Sequence, residues 1–283
     1  MKILLLNDHG AALGGAEIQL LGHRDWLPLM AQMTLLHRWR GAFRGIVANS
    51  AAVADRLRAE GFPEVEVIGN GVPPSAMRGA LADVPTVAFA GRLEPEKGVD
   101  VLLDAMARLE GPGRQAQLLV AGSGKQAARL AERAATLGLG SRARFLGHLE
   151  HGTLQAALDG ASVRAVPSRW DEPFGLVAAE AMMRGTPVVA SRAGGLADIV
   201  PHEEAGLLVP LGDAAALAAA LDRLLADRAL CERMGRAGRS HALRHLTRAA
   251  SADRFLAAYD RLVRGTGTAH PPRDPSEPAR VHA

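Results

Sequence analysis

Nine short apolar runs of β-forming residues recur along the first 210 residues, and most lead through a turn into a segment with helical periodicity. The runs are KILLLN (2–7), GIVANS (45–50), VEVIGN (65–70), TVAFAG (86–91) and QLLVAG (117–122), then ARFLG (143–147), VRAVPS (163–168), PVVAS (187–191) and GLLVP (206–210). They are continuous rather than alternating, the pattern of strands covered on both faces. Amphipathic segments such as VDVLLDAMARL (99–109) and KQAARLAERAATLG (125–138) lie between them. Strand alternating with helix predicts an α/β fold with parallel, doubly wound sheets.

The runs are unevenly spread. Six of the nine fall between residues 86 and 210, enough for a complete Rossmann-like unit. Three precede residue 84, and the stretch from Gly22 to Gly45 contains no clear strand. The expected division is therefore an abbreviated N-terminal unit over 1–80 and a C-terminal unit over 81–264 that ends in a returning helix. The tail 265–283 is rich in Pro, Gly and charge without apolar periodicity, and its composition predicts disorder.

Composition narrows the classes of function. The net charge is only +3 and aromatic residues make up 4%, so neither a basic stripe nor a stacking platform for nucleic acid is expected. The single cysteine, Cys231, precludes an internal disulfide and fits a reducing compartment. The opening MKILLLNDHG is too short in apolar residues for a signal core, and no run approaches the roughly 20 residues of a membrane span. A cytoplasmic protein is expected.

In doubly wound sheets, ligands sit where the C-terminal ends of strands lead into helix N-termini. After TVAFAG comes GRLEPEKG, which places Arg92 and Lys97 at the strand end and helix start. After VRAVPS comes RWDEPFG, with Glu172 in the loop and Pro173 suited to a first helical position. After PVVAS, the glycine pair of RAGG (192–195) permits close approach of backbone to a ligand. A helix starting near Pro173 would turn the amides of Phe174, Gly175 and Leu176 toward an anionic phosphate. Glu172 then precedes that terminus, and Glu180 lies between one and two turns along it. Cations from the neighbouring loop balance the phosphate without a metal, and the carboxylates are left to accept from hydroxyls. A nucleoside diphosphate sugar matches this layout.

AGRLEPEKGVDVLLDAM, LLVAGSG, RFLGHL and VPSRWDEPFGLVAAEAMMRGTPVVASRAGGLADIV resemble the retaining GT-B glycosyltransferases of family 4, with Glu172 and Glu180 as that family's E-x7-E pair. VANSAAVADRLRAEGF and VEVIGNGV (47–72) resemble the end of the family's N-terminal domain, and GGAE (14–17) its first glycine-rich loop. The resemblance covers residues 1–21 and roughly 45–260. It implies sugar transfer from a nucleoside diphosphate sugar to a glycan, lipid-linked or small-molecule acceptor, with retention and no cofactor. Arg92 and Lys97 would bind the diphosphate and stabilise the leaving group, in a front-face route where that group helps deprotonate the acceptor. Glu180 would hold ribose hydroxyls. Glu172, with the backbone of Phe174, Gly175 and Leu176, would contact the donor sugar. Gly14 and Gly15 would close over the phosphates, and Leu149, at the end of FLGHL, would pass near the nucleobase.

Between Gly22 and Met33 the family carries several strands and helices with much of the acceptor site, and this chain has almost nothing there. HRDWLP (23–28) resembles a His-Asp-aromatic stretch of some members, which makes His23 a candidate for the histidine facing the donor sugar. A loop histidine is the alternative. The shortened unit also leaves open a nucleotide-sugar-binding protein without turnover, or a cleft completed by a second subunit. Other readings stay beside these. Arg92 and Lys97 could be surface charges, with Lys97 paired to Glu94 or Glu96. GSGKQA lacks the acidic ribose reader of a dinucleotide site, and Gln126 stands where a P-loop needs Ser or Thr, so it reads as a tight turn. HRWRGAF (37–43) fits a membrane-touching helix face or a solvated helix that packs Trp39.

Overall fold

The computed structural model describes Leu4–Leu6, Thr34, Arg38 and residues 45–264 apart from Pro63. Its strands fall in all nine predicted runs. Strands β1 (Leu4–Leu6), β2 (Ile46–Ala48) and β3 (Val65–Val67) make a small parallel sheet in the order β1-β2-β3. Helix α1 (Ala51–Ala59) joins β2 to β3; Ser50 caps it, its Oγ accepting from the Val53 amide at 3.2 Å. Val53, Ala54 and Leu57 of α1 pack with Ile46, Ala48, Phe62 and Val65.

The larger sheet contains β4 (Thr86–Ala90), β5 (Gln117–Ala121), β6 (Ala143–Gly147), β7 (Val163–Val166), β8 (Val188–Ser191) and β9 (Gly206–Val209). Its order is β6-β5-β4-β7-β8-β9 and every pairing is parallel. Counted from β4 this is 3-2-1-4-5-6, the Rossmann order, and the winding reverses between β4 and β7. The intervening helices are α2 (Val99–Arg108), α3 (Ala127–Thr136), α4 (His151–Ala157), α5 (Leu176–Met183) and α6 (Leu196–Ile199). After β9 come α7 (Ala214–Ala226), α8 (Arg228–His245) and α9 (Arg248–Arg264).

Burial explains the uninterrupted apolar runs of β4, β7, β8 and β9. Strand β3 and the edge strand β6 are partly exposed, against the expectation of strands covered on both faces. Val87, Phe89, Leu118, Val120, Val163 and Ala165 face a core built with α2, α3, α7 and α8. Val166, Val188 and Ala190 face α5 through Ala178 and Met182, while Ala88 and Ala90 meet Leu158 and Ala161. The small side chains on this second face let its helices approach closely. α5 is apolar almost all round, as a helix enclosed on several sides must be. Cys231 is buried against α7; its Sγ donates to the Leu224 carbonyl at 3.1 Å, and burial pushes the thiol up to about 11. Among the described residues, no helix is long and apolar enough to cross a membrane.

The chain passes twice between the sheets, and the two passages pair. Val72 donates its amide to Leu246 O at 2.8 Å and accepts from the Arg248 amide at 3.2 Å. α9 then returns to the small sheet, where Phe255 and Ala258 pack on Val47 and Ile68. The connection after Val72 is strapped to the large unit by Arg78, whose side chain is 1% exposed. Its Nε donates to Gly185 O at 3.1 Å and Nη1 to Gly79 O at 2.9 Å, while Nη2 stands 3.0 Å from Glu232. Arg78→Met keeps the stem but removes every polar contact, leaving two carbonyls and a carboxylate without their cation. Urea unfolding should show a loss of about 2–4 kcal/mol; an unchanged midpoint would mean that the strap contributes nothing.

Candidate functional site

Two loops meet at the reversal of winding. The first, residues 91–98, leaves β4 through one 3-10 turn (Pro95–Lys97) and enters α2 at Gly98, whose φ of 66° is left-handed. The second, residues 167–175, leaves β7 and enters α5 at Gly175. The Arg169 amide donates to Glu96 O at 2.8 Å, and the Arg169 guanidinium pairs with Asp100 at 3.1 Å. At Gly98 the loops are so close that a Cβ would stand 1.9 Å from the Pro167 carbonyl oxygen. Positive φ and this approach together require glycine.

Lys97 and Glu172 face each other across the junction. Lys97 Nζ lies 2.7 Å from Glu172 Oε1, with side-chain exposures of 19% and 12%. The same oxygen accepts from Ser168 Oγ at 2.5 Å. Nζ also sits 5.4 Å from the centre of the Trp170 ring, within range of a cation–π attraction. Lys97 is therefore paired with Glu172, and neither Glu94 nor Glu96 takes that place. Lys97, Ser168, Glu172 and the segment from Pro173 to Val177 line a cavity of about 170 Å³, to which the connection from the small unit adds Asn70.

α5 begins at Leu176, three residues later than the prediction from Pro173. Gly175, at φ 97°, turns the chain into the helix, so the loop continues through the position where Pro173 favoured a first helical turn. The amides of Phe174, Gly175, Leu176 and Val177 have no hydrogen-bond partner among the described residues, a set of donors suited to an anion. The glycine pair of RAGG serves a different contact from the one expected. The Gly195 amide donates to Glu172 O at 2.6 Å, and a Cβ on Gly194 would meet that oxygen at 2.3 Å. These glycines press against the backbone of the Glu172 loop and fix it from behind.

The remaining predicted residues are placed less uniformly. Arg92 is exposed at 67% and pairs with Glu96 at 3.1 Å. Glu180 is half-buried on α5, and its carboxylate has no hydrogen-bond or ion-pair partner among the described residues. Leu149, just beyond the C-terminal end of β6, packs against the cluster that holds Leu158 and Ala161 and does not line the cavity. Gly14, Gly15, His23, most of HRWRGAF and the tail 265–283 lie outside the described residues.

Sequence reasoning missed Ser168, Asn70 and Arg164. Arg164 is a charge in the middle of β7, with Nε buried and unpartnered. Desolvation lowers its pKa to about 10, the field of Glu180 counters that, and Arg184 adds to the lowering. It remains a cation at neutral pH and supplies positive potential near Glu180. A charged residue interrupting VRAV was the available signal. The small unit reaches the site through α1: the Ala51 amide donates to Asp198 at 2.7 Å, and Arg56 pairs with Asp171, the neighbour of Glu172.

A Rossmann-ordered sheet with cations, carboxylates and free amides at its switch point places a candidate site where open α/β sheets bind their ligands. Residues 78–241 match the family model for glycosyl transferases group 1, and the chain belongs to that family. It is 37% identical over 201 residues to glycogen synthase of Mycobacterium tuberculosis, covering 69% of this chain and 48% of that protein. It is 37% identical over 245 residues to phosphatidyl-myo-inositol mannosyltransferase of Mycobacterium leprae, covering 84% and 64% respectively. The chain thus spans about half to two thirds of these relatives. Among solved structures, sucrose-phosphate synthase from Thermosynechococcus elongatus superposes with a TM-score of 0.75 at 30% identity, over 93% of this chain and 68% of that one. Anabaena HepE in complex with UDP-glucose gives 0.72 at 25% identity, over 82% and 67%. The paired parallel units have the GT-B architecture.

Gly98→Ala tests the junction of the loops. The new methyl must push the Pro167 carbonyl away at a backbone conformation alanine disfavours, at a cost of about 1–3 kcal/mol. Chemical denaturation of the variant should show that loss; wild-type stability would contradict the observed approach.

Proposed function

We propose that this chain transfers a sugar from a nucleoside diphosphate sugar to an acceptor, with retention of anomeric configuration and without a metal ion. The observation that carries the reading is the Lys97–Glu172 pair lining a cavity beside the four unpartnered amides at the start of α5. The amides and Lys97 bind the diphosphate, with Arg92 swinging in from the exposed side of the loop. Glu180, free of partners and backed by Arg164, accepts from ribose hydroxyls. Glu172 accepts from the donor sugar. It is the one carboxylate lining the cavity among the described residues, and its Oε1 is already held by two donors. That favours a front-face route, in which the leaving diphosphate assists removal of the acceptor proton, over attack by an enzyme carboxylate. Among the described residues, no three His, Cys, Asp or Glu side chains come together as metal ligands, and the cations of the loops are assigned the leaving-group charge instead. The acceptor, whether glycan, lipid-linked or small, enters from the side of the small unit.

The two glutamates separate on calorimetry. Glu180→Ala should weaken UDP or GDP alone, because a ribose contact is common to product and donor. Glu172→Ala should spare the diphosphates and weaken only intact nucleotide sugars. Equal losses of UDP and GDP in both variants would reverse these assignments.

The cations are tested in the presence of a chelator. Lys97→Met should weaken UDP or GDP by about 1.5–3 kcal/mol, the range for a hydrogen bond to a charged group. Arg92→Ala, which removes an exposed side chain, should weaken them only several-fold. Affinity that collapses in chelator, or survives both substitutions, would remove the metal-free phosphate cradle. Transfer to acceptor with the donor's anomeric configuration, followed by NMR of the product, tests the reaction itself.

A further inference from the structure

We propose that Ser168 is a positioning residue that turns Glu172 into a one-sided acceptor for the donor sugar; this rests on the reading of Glu172 given above. A carboxylate has two oxygens with about four acceptor positions between them. At Glu172, both protein donors fall on the same oxygen. Lys97 Nζ takes Oε1 from the β4 loop, and Ser168 Oγ takes it from the end of β7 at 2.5 Å. Oε2 has no protein partner among the described residues. Two donors arriving from different elements at one oxygen fix the carboxylate plane, which a single ion pair on a flexible lysine does not.

The Ser168 side of this grip is the rigid one. Ser168 is 1% exposed and follows Pro167, whose ring holds the backbone at the end of the strand. Its hydroxyl has no other partner, so its proton is committed to Glu172. Lys97 is 19% exposed and keeps two further N–H groups for the diphosphate. When the phosphate draws on Lys97, Ser168 is the contact that remains to hold Oε1, and Oε2 stays aimed at the sugar. Glu172 alone would otherwise lose its orientation at the moment donor arrives.

Ser168→Ala removes one hydroxyl and adds no bulk. Binding of UDP and of UDP-glucose is measured for wild type and variant by calorimetry, with thermal unfolding as a check on the fold. UDP affinity should be unchanged, while UDP-glucose affinity falls on the order of tenfold, because the sugar's own hydrogen bond to the charged Glu172 is weakened once that carboxylate is no longer oriented. Ser168→Cys, close in volume but a poor donor, should give the same split and serves if the alanine variant does not fold. A merely structural serine would lower both affinities together or neither, and either result overturns the proposal. If wild type binds neither UDP nor UDP-glucose, the reading of the site fails and this inference with it. If wild type binds both equally and Glu172→Ala changes nothing, the assignment of Glu172 fails first.

Discussion

The ion pair between Lys97 and Glu172 spans the point where the winding of the large sheet reverses. Helices leave β4 and β7 on opposite faces, so a crevice opens between two loops that would otherwise have no reason to meet. Taking both charges largely out of water is unfavourable by itself, and a pair of this kind is weak support for stability. The surroundings offset that cost locally: Ser168 donates to the carboxylate, and the Trp170 ring lies by the ammonium. Neighbouring contacts hold the loops at the required separation. Arg169 ties the second loop to Glu96 of the first and to Asp100 of α2, and only a hydrogen fits between Gly98 and Pro167.

The two glutamates share a motif but occupy unlike environments. Glu172 precedes the left-handed turn at Gly175 and is already gripped. Glu180 lies on the helix proper and has no partner, but faces the desolvated Arg164. An arginine there keeps its proton at neutral pH even with its pKa lowered to about 10. Its charge therefore adds positive potential near Glu180 without consuming an acceptor site. Positive potential nearby and unpartnered lone pairs are what recognition of neutral hydroxyls calls for.

The fold was legible because burial on both faces of the central strands writes itself as unbroken apolar runs, and the β-forming residues of the partly exposed β3 and β6 carry the same signal. The start of α5 was not, because Pro173 satisfies the local preference for a first helical turn while Gly175, two residues on, is the residue that turns the chain. RAGG signalled close approach correctly but not its target; the target is the Glu172 backbone, 22 residues earlier than Gly194 and visible only once β8 is in place. Ser168 and Asn70 look like ordinary strand-end and turn residues in one dimension. Their roles come from contacts between elements distant along the chain, which no spacing rule encodes. Lys97 and Glu172 were legible as neighbours only because both loops follow strands at the switch point.

The small sheet brings a wall to this cleft with support from the large unit. Among the described residues, β2 packs on α1 through Ile46 and Ala48 and on α9 through Val47, so a helix returning from the large unit covers the second face of the small sheet. The backbone pairing of Val72 with Leu246 and Arg248 anchors that return on the buried side. On the open side, the units touch through the Ala51 amide on Asp198 and the Arg56–Asp171 pair, whose side chains are about half exposed. Exposed ion pairs contribute at most about 1 kcal/mol, whereas a buried backbone group left unpaired costs more. The two sides of the interface are therefore unequal. Among these contacts, separation at Arg56 and Asp171 costs less than separation at Val72, so an opening on that side is the cheaper one. Because Asp171 adjoins Glu172, such an opening releases the outer restraint on the donor loop and leaves Ser168 and Lys97 to hold it.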